Sequence, residues 1–432
     1  MRFRRYRYEP LVLVLVALAA LPPISLTGPQ DHTRIELTRH VVLFHTIRLE
    51  NTLFDRALYH GKTYSDKAPG MSFLAIPAFE LERGLGIAKP TTRWNAEGDV
   101  SLWLLRVLTS GVLFLVAVFV VGRLAEGIAP GTGAVTASLF GVATMAAPLA
   151  PTLFEHDAAG AFGISAFALL WLGRSNRALV AAGLAAGTAV VFNYQSAIVV
   201  LALTGYAAWR VRRRVLWFLA GGVPPAIALG AYDWAAFGSP FHLSYSYVAN
   251  AYTEKQHAGL FGIGAPTLDG LRDVLVGSRG LLVWSPVCVA AAVGLVLLWR
   301  RGSRAEALTA GAIVVAFAVA DAGYFLPYGG GSPGPRFMGA SLPFLALGLA
   351  PALARLRLPV LALGLLSVFT MTVQALSWGV RSERATSYLP TKNDVMSTIW
   401  MQMGAHRDLG AALVLVCALA AFGVGARAAV RR

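Results

Sequence analysis

Charge is what this chain has least of. Only 14% of its 432 residues are Asp, Glu, Lys or Arg, against 56% hydrophobic, and the mean hydropathy of +0.61 excludes an ordinary soluble globular domain. Cysteine is almost missing too. Cys288 and Cys417 both fall inside apolar runs, which excludes a disulfide framework and a cysteine-based metal site. Solenoid-type repeats and low-complexity tails are absent. The glycine-rich stretch Gly329-Gly330-Gly331-Ser332-Pro333-Gly334 lacks the Lys-Ser/Thr of a nucleotide-binding loop, so ATP is not implied. Acids are the scarcer sign, 22 against 37 Lys and Arg.

What the chain has instead is apolar runs of roughly 17–22 residues, the length that crosses about 30 Å of hydrocarbon as helix. They fall near 9–26, 101–122, 131–151, 158–173, 177–193, 195–209, 215–235, 280–299, 306–325, 337–354, 358–378 and 409–426. The expected fold class is therefore an all-α polytopic membrane protein of about twelve transmembrane helices. Residues 1–26 read as the first span; a secretory signal is the alternative for a basic start followed by an apolar stretch.

The charges give an orientation. With the N-terminus inside, the expected cytoplasmic segments carry nineteen arginines against Glu9, Glu126 and Glu306, while the outer segments are close to balanced. That asymmetry predicts an even number of crossings with both termini cytoplasmic. The sequence pI of 10.3 is then a topology signal, and no nucleic-acid partner is expected.

The remaining polar mass lies outside, in segments 27–100, 236–279 and 379–408 of what reads as one transmembrane domain spanning 1–432. A first loop of that length is expected to be functional. Within it, 32–50 and 70–85 set apolar residues at helical spacing among charges and predict two short amphipathic helices lying in the interface. Between them stands Tyr64-Ser65-Asp66-Lys67-Ala68-Pro69-Gly70, an acid and a base side by side. Tyr245, Tyr247, Tyr252 and Trp400 punctuate the later outer segments and suit an interfacial belt or a sugar face.

Gln30-Asp31-His32-Thr33-Arg34 just after the first span, Asp66-Lys67-Ala68-Pro69-Gly70, and Glu155-His156-Asp157 at the outer start of a later span together resemble the GT-C superfamily of membrane glycosyltransferases. The branch most similar contains the lipid A aminoarabinose transferases, the protein mannosyltransferases and the bacterial lipopolysaccharide-core transferases. The resemblance covers about the first 200 residues; beyond them it rests on topology and on the segments 278–286 and 328–337.

The resemblance implies a sugar donor on a polyprenyl phosphate, an acceptor that is a cell-envelope glycolipid, glycan or protein, and a reaction on the extracytoplasmic face of a bacterial cytoplasmic membrane. It implies Asp31 as the base that removes the acceptor proton, with Asp157 as a second catalytic acid. A phosphodiester that leaves as a monoester gains negative charge, a need that Lys67 and Arg336 suit. Asp66, His156 and Tyr64 are expected to support them. Each also has a plainer reading: Asp31 and Asp157 as helix caps, Asp66 and Lys67 as a pair in a turn, Arg336 as a headgroup anchor. A divalent metal ion has room among Glu155, His156, Asp157, Asp66, His242 and His257, although their spacing matches no compact metal motif. The competing function is a transporter or flippase for polyprenyl-linked lipids, against which stands the lack of paired Gly/Pro-broken spans in two matched halves. A structural assembly subunit would have little use for the acid-lysine pair.

Overall fold

The computed structural model describes residues 3–25, 28–50, 55–87, 99–377 and 395–430; most of the 379–408 segment lies outside them. The described chain is helical apart from one two-stranded hairpin, Arg56–Tyr59 with Lys62–Ser65. Its turn is His60-Gly61, with φ of 47° and 73°, the left-handed pair that a two-residue hairpin turn needs.

The expectation of about twelve spans is corrected. Among the described residues, five helices are long and apolar enough to cross a membrane: Val100–Ile128, Tyr194–Phe237, Arg304–Gly323, Arg357–Ser377 and Arg407–Ala429. The number reaches seven at most, if Leu268–Trp284 with Val287–Arg300 (bent by 97°) and Arg336–Ala346 with Leu349–Arg355 (bent by 51°) each count as one span. Two of the other runs are apolar for a different reason. Every residue of the 11-residue helix Gly133–Ala143 is buried in protein, as are most of His156–Leu172. Hydropathy does not distinguish a helix wrapped by its neighbours from one facing lipid. The runs 195–209 and 215–235 fall within one helical stretch interrupted at Arg212, and the first run yields a helix of only 12 residues, Glu9–Ala20.

Small residues bring the helices together. A Cβ on Gly183 would lie 1.8 Å from the Phe218 carbonyl oxygen, and one on Gly221 would lie 2.0 Å from that of Val180. The helices Asn176–Phe192 and Val215–Phe237 therefore touch backbone to backbone, the contact that membrane bundles use where no hydrophobic drive separates lipid from side chain.

The first long loop folds onto this bundle. Its helices are Pro29–Phe44 and Gly70–Gly84. Ile35, Met71, Ala75 and Phe79 form a buried cluster with Leu102, Leu105 and Leu153. The hairpin side is held by Tyr64 and Ala57 against Tyr232 and Phe237. The first helix does not lie as an amphipath at a surface: Asp31, Thr33, Arg34 and Thr38 are all buried. Polar groups so placed must find partners inside the protein, and those partners build the site.

Candidate active site

The hairpin register brings two acids to one lysine. Arg56 pairs with Ser65, so the residues just outside the ladder, Asp55 and Asp66, face each other, and the Asp66 amide donates to the Asp55 carbonyl at 3.4 Å. The Lys67 ammonium lies 3.1 Å from Asp66 Oδ2 and 3.3 Å from Asp55 Oδ2. The turn around it is tied from three directions. The Lys67 amide donates to Ser65 Oγ at 3.2 Å, Thr33 Oγ1 donates to the same oxygen at 3.1 Å, and Ser244 Oγ donates to the Asp66 carbonyl at 2.8 Å. Immediately beyond, a Cβ on Gly70 would sit 2.7 Å from the Val191 carbonyl oxygen, so the helix that follows starts hard against the end of Asn176–Phe192.

Burial pushes the Asp66 carboxyl up, Lys67 offsets part of that, and Asp55 adds to it. Burial by itself would pull Lys67 down; Asp55 and Asp66 outweigh it and hold the ammonium above its ordinary range. Lys67 is thus a firmly charged cation beside a carboxyl that holds its proton more readily than usual.

A second charged group faces this one. Arg34 is ion-paired with Glu155 and donates to Gln30 Oε1 at 3.0 Å. Burial would raise Glu155, but Arg34, then His156 and Arg336, bring it down to about 2. The Arg336 guanidinium lies over the rings of Phe154 and Phe337, at 4.8 and 5.2 Å, with Nε unpartnered among the described residues. Cation and ring stack through charge and quadrupole. Tyr324 feels the charges of both Lys67 and Arg336, and of Asp66 and Asp55, while Tyr245 feels those of Lys67 and Glu155. These groups border one site.

Not every residue singled out in the sequence meets there. Asp31 has both oxygens engaged: Arg106 donates to Oδ2 at 2.6 Å and the Leu153 amide to Oδ1 at 2.8 Å. Arg106, fully buried, also donates to the Ser25 carbonyl at 2.6 Å. Asp31 therefore joins the first loop to the Val100–Ile128 helix and to the turn before Glu155. Tyr64 turns into the aromatic cluster, 5.4 Å from the Phe237 ring. His156 Nδ1 is 3.3 Å from Asn193 Nδ2, and its ring meets Phe337 edge-on at 5.4 Å. Asp157 is buried beside it, with Oδ2 unpartnered among the described residues.

Arg34, Asp55, Arg106 and Tyr324 carry no assigned role in the sequence reading, and Tyr245 is expected there only to suit an interfacial belt or a sugar face. Asp55 becomes visible only once the hairpin is known, because counting outward from the His60-Gly61 turn along both strands pairs residue 55 with residue 66. Among the described residues no three His, Cys, Asp or Glu side chains gather to hold a metal ion. At the two facing carboxylates of Asp55 and Asp66 the Lys67 ammonium occupies the place a cation would take, so this pair does not fit a metal ion.

No protein-family model and no curated protein sequence matches the chain. Among solved structures it is similar to ArnT from Cupriavidus metallidurans bound to undecaprenyl phosphate, at 14% identity and a TM-score of 0.57, over 98% of this chain and 77% of that one. The same protein in its apo state gives 15% identity and 0.55, over 98% and 75%. Arabinosyltransferase EmbB from Mycobacterium smegmatis gives 15% identity and 0.49, over 100% of this chain and 42% of that one. At 14–15% identity the likeness to ArnT is one of fold, extending over nearly the whole of this chain.

Proposed function

We propose that this protein transfers a sugar from a polyprenyl-phosphate donor to a cell-envelope glycolipid, glycan or protein, at the outer face of a bacterial cytoplasmic membrane and with both termini cytoplasmic. The observation that carries the reading is Lys67, a half-buried ammonium held by two facing carboxylates beside the Arg34, Glu155 and Arg336 group. The fold adds support, since the similar ArnT structure is bound to undecaprenyl phosphate.

In this reading the bond from the anomeric carbon to the phosphate oxygen breaks, and its electron pair leaves with the polyprenyl phosphate. The acceptor hydroxyl oxygen bonds to that carbon, and its proton passes to a carboxylate. Lys67 and Arg336 oppose the charge that develops on the leaving phosphate, and Arg34, fixed by Glu155, adds positive potential. We assign the base to Asp66, whose carboxyl is raised by burial and whose Oδ1 is unpartnered among the described residues; a base works best with a pKa near the operating pH. Asp31 then acts as a positioning residue through Arg106 and Leu153. His156 and Asp157 support Glu155 at the start of their helix, and Tyr64 braces the hairpin.

The test is release of free polyprenyl phosphate from a polyprenyl-phosphate sugar by purified protein. Transferase action requires release that depends on added acceptor, whereas a flippase moves the intact lipid and releases none. Asp66→Asn should lower turnover by roughly 10²–10⁴-fold and Asp31→Asn by less. The opposite order would return the base to Asp31.

A further inference from the structure

The helices Ala197–Val211 and Arg304–Gly323 both reach the site at one end. The first follows Tyr194, which is 3.3 Å from the Ser244 hydroxyl that binds Asp66, and the second ends just before Tyr324. At their other end, where arginines collect, they enclose a groove of about 490 Å³. Its lining mixes small residues, Ala202, Gly205 and Ala305, with the indoles of Trp209 and Trp299, and includes Arg304. Trp209 is 66% exposed and Trp299 42%.

The charge in this lining is uncompensated. Glu306, the acid nearest in the helix, accepts from Tyr206 at 2.8 Å and lies 3.8 Å from Arg210, so it is already shared. The Arg304 guanidinium has no hydrogen bond or ion pair among the described residues, and the exposed Arg300 and Arg301 stand next to it. An apolar slot, two exposed indoles and an unopposed guanidinium together match the parts of one kind of molecule. Its chain is apolar, its neck amphipathic and its head anionic.

We propose that this groove seats one acyl chain of an anionic phospholipid, with the lipid phosphate at Arg304 and the headgroup region beside Trp209 and Trp299. The lipid lies in the leaflet opposite the charged site, so this is a structural lipid position and not a donor or acceptor subsite. It spans the gap between Ala197–Val211 and Arg304–Gly323, the two helices whose far ends carry Tyr194 and Tyr324 into the site.

The helix geometry offers a clean blocking variant. A Cβ on Gly205 meets nothing within 4 Å, so Gly205→Leu fills the slot without a clash and with better helix propensity. Native mass spectrometry of delipidated protein, titrated with dioleoyl-phosphatidylglycerol or dioleoyl-phosphatidylcholine, reads the outcome. Wild type should hold one phosphatidylglycerol per chain, about fivefold tighter than phosphatidylcholine, as one added arginine contact near a charged headgroup supplies. Arg304→Ala should abolish that preference while still binding both lipids, and Gly205→Leu should lose both at an unchanged melting temperature. Wild-type binding without preference for the anionic lipid, or Gly205→Leu binding as well as wild type, would overturn the proposal.

Discussion

A buried arginine keeps its place only while its carboxylate stays charged, and Arg34 depends on Glu155 in this way. Glu155 has its pKa lowered by folding, so its contribution is fully present above the unfolded value of 4.5 and is lost as pH falls through about 2. Glu155→Gln leaves Arg34 buried with an uncompensated charge, and the expected cost is about 3–5 kcal/mol. Melting in matched detergent across pH 2.5–7 checks both statements: wild type should lose stability on acidification, and Glu155→Gln should start lower and lose less over the same interval. An unchanged melting temperature at neutral pH would show that the pair contributes nothing. At this scale the sequence is informative only where partners are neighbours in the chain. Asp66 and Lys67 announce themselves by adjacency, but the Arg34 to Glu155 and Asp31 to Arg106 pairs join residues 121 and 75 positions apart, and no local pattern encodes such a meeting.

Among the elements, the Gly70–Gly84 helix is legible almost to the residue, because its apolar spacing is regular and Pro69-Gly70 marks its start. The hairpin before it is not, since four-residue strands in a chain dominated by helical runs offer little periodicity. Yet the hairpin sets the site. It aligns Asp55 with Asp66, and the glycine that follows fixes where Lys67 stands. Gly70→Ala places a Cβ 2.7 Å from the Val191 carbonyl oxygen and 2.9 Å from the Phe192 Cα, backbone atoms that yield little. The helix start must shift by a good part of an ångström, and misplacement of that order costs up to about 10²-fold in rate. Steady-state kinetics of Gly70→Ala should show the loss mainly in kcat, while Gly84→Ala, where a Cβ meets nothing within 4 Å, should behave as wild type. Equal rates for both variants would remove the packing constraint from the account.

For the whole molecule, the arginine distribution supplies an expected orientation, while the number of spans is not legible in the sequence. Hydropathy counts Gly133–Ala143 and His156–Leu172 as lipid-facing although protein covers them. The orientation is tested at exposed positions on opposite ends of the bundle. In a variant lacking Cys288 and Cys417, single cysteines at His60 and Glu254 should be labelled by an impermeant thiol reagent in intact cells, and one at Arg213 should not. The reverse pattern would turn the protein over and place its charged site on the cytoplasmic face.

The central claim is that the phosphate of a polyprenyl lipid sits at Lys67, so the most direct measurement is a binding titration of polyprenyl phosphate against purified protein in matched detergent and salt. Loss of a charge-assisted contact of about 1.5–3 kcal/mol predicts that Lys67→Ala binds roughly ten- to a hundredfold more weakly than wild type, with Arg336→Ala weakened as well and Asp31→Asn unchanged. Equal affinity for wild type and Lys67→Ala would contradict the account.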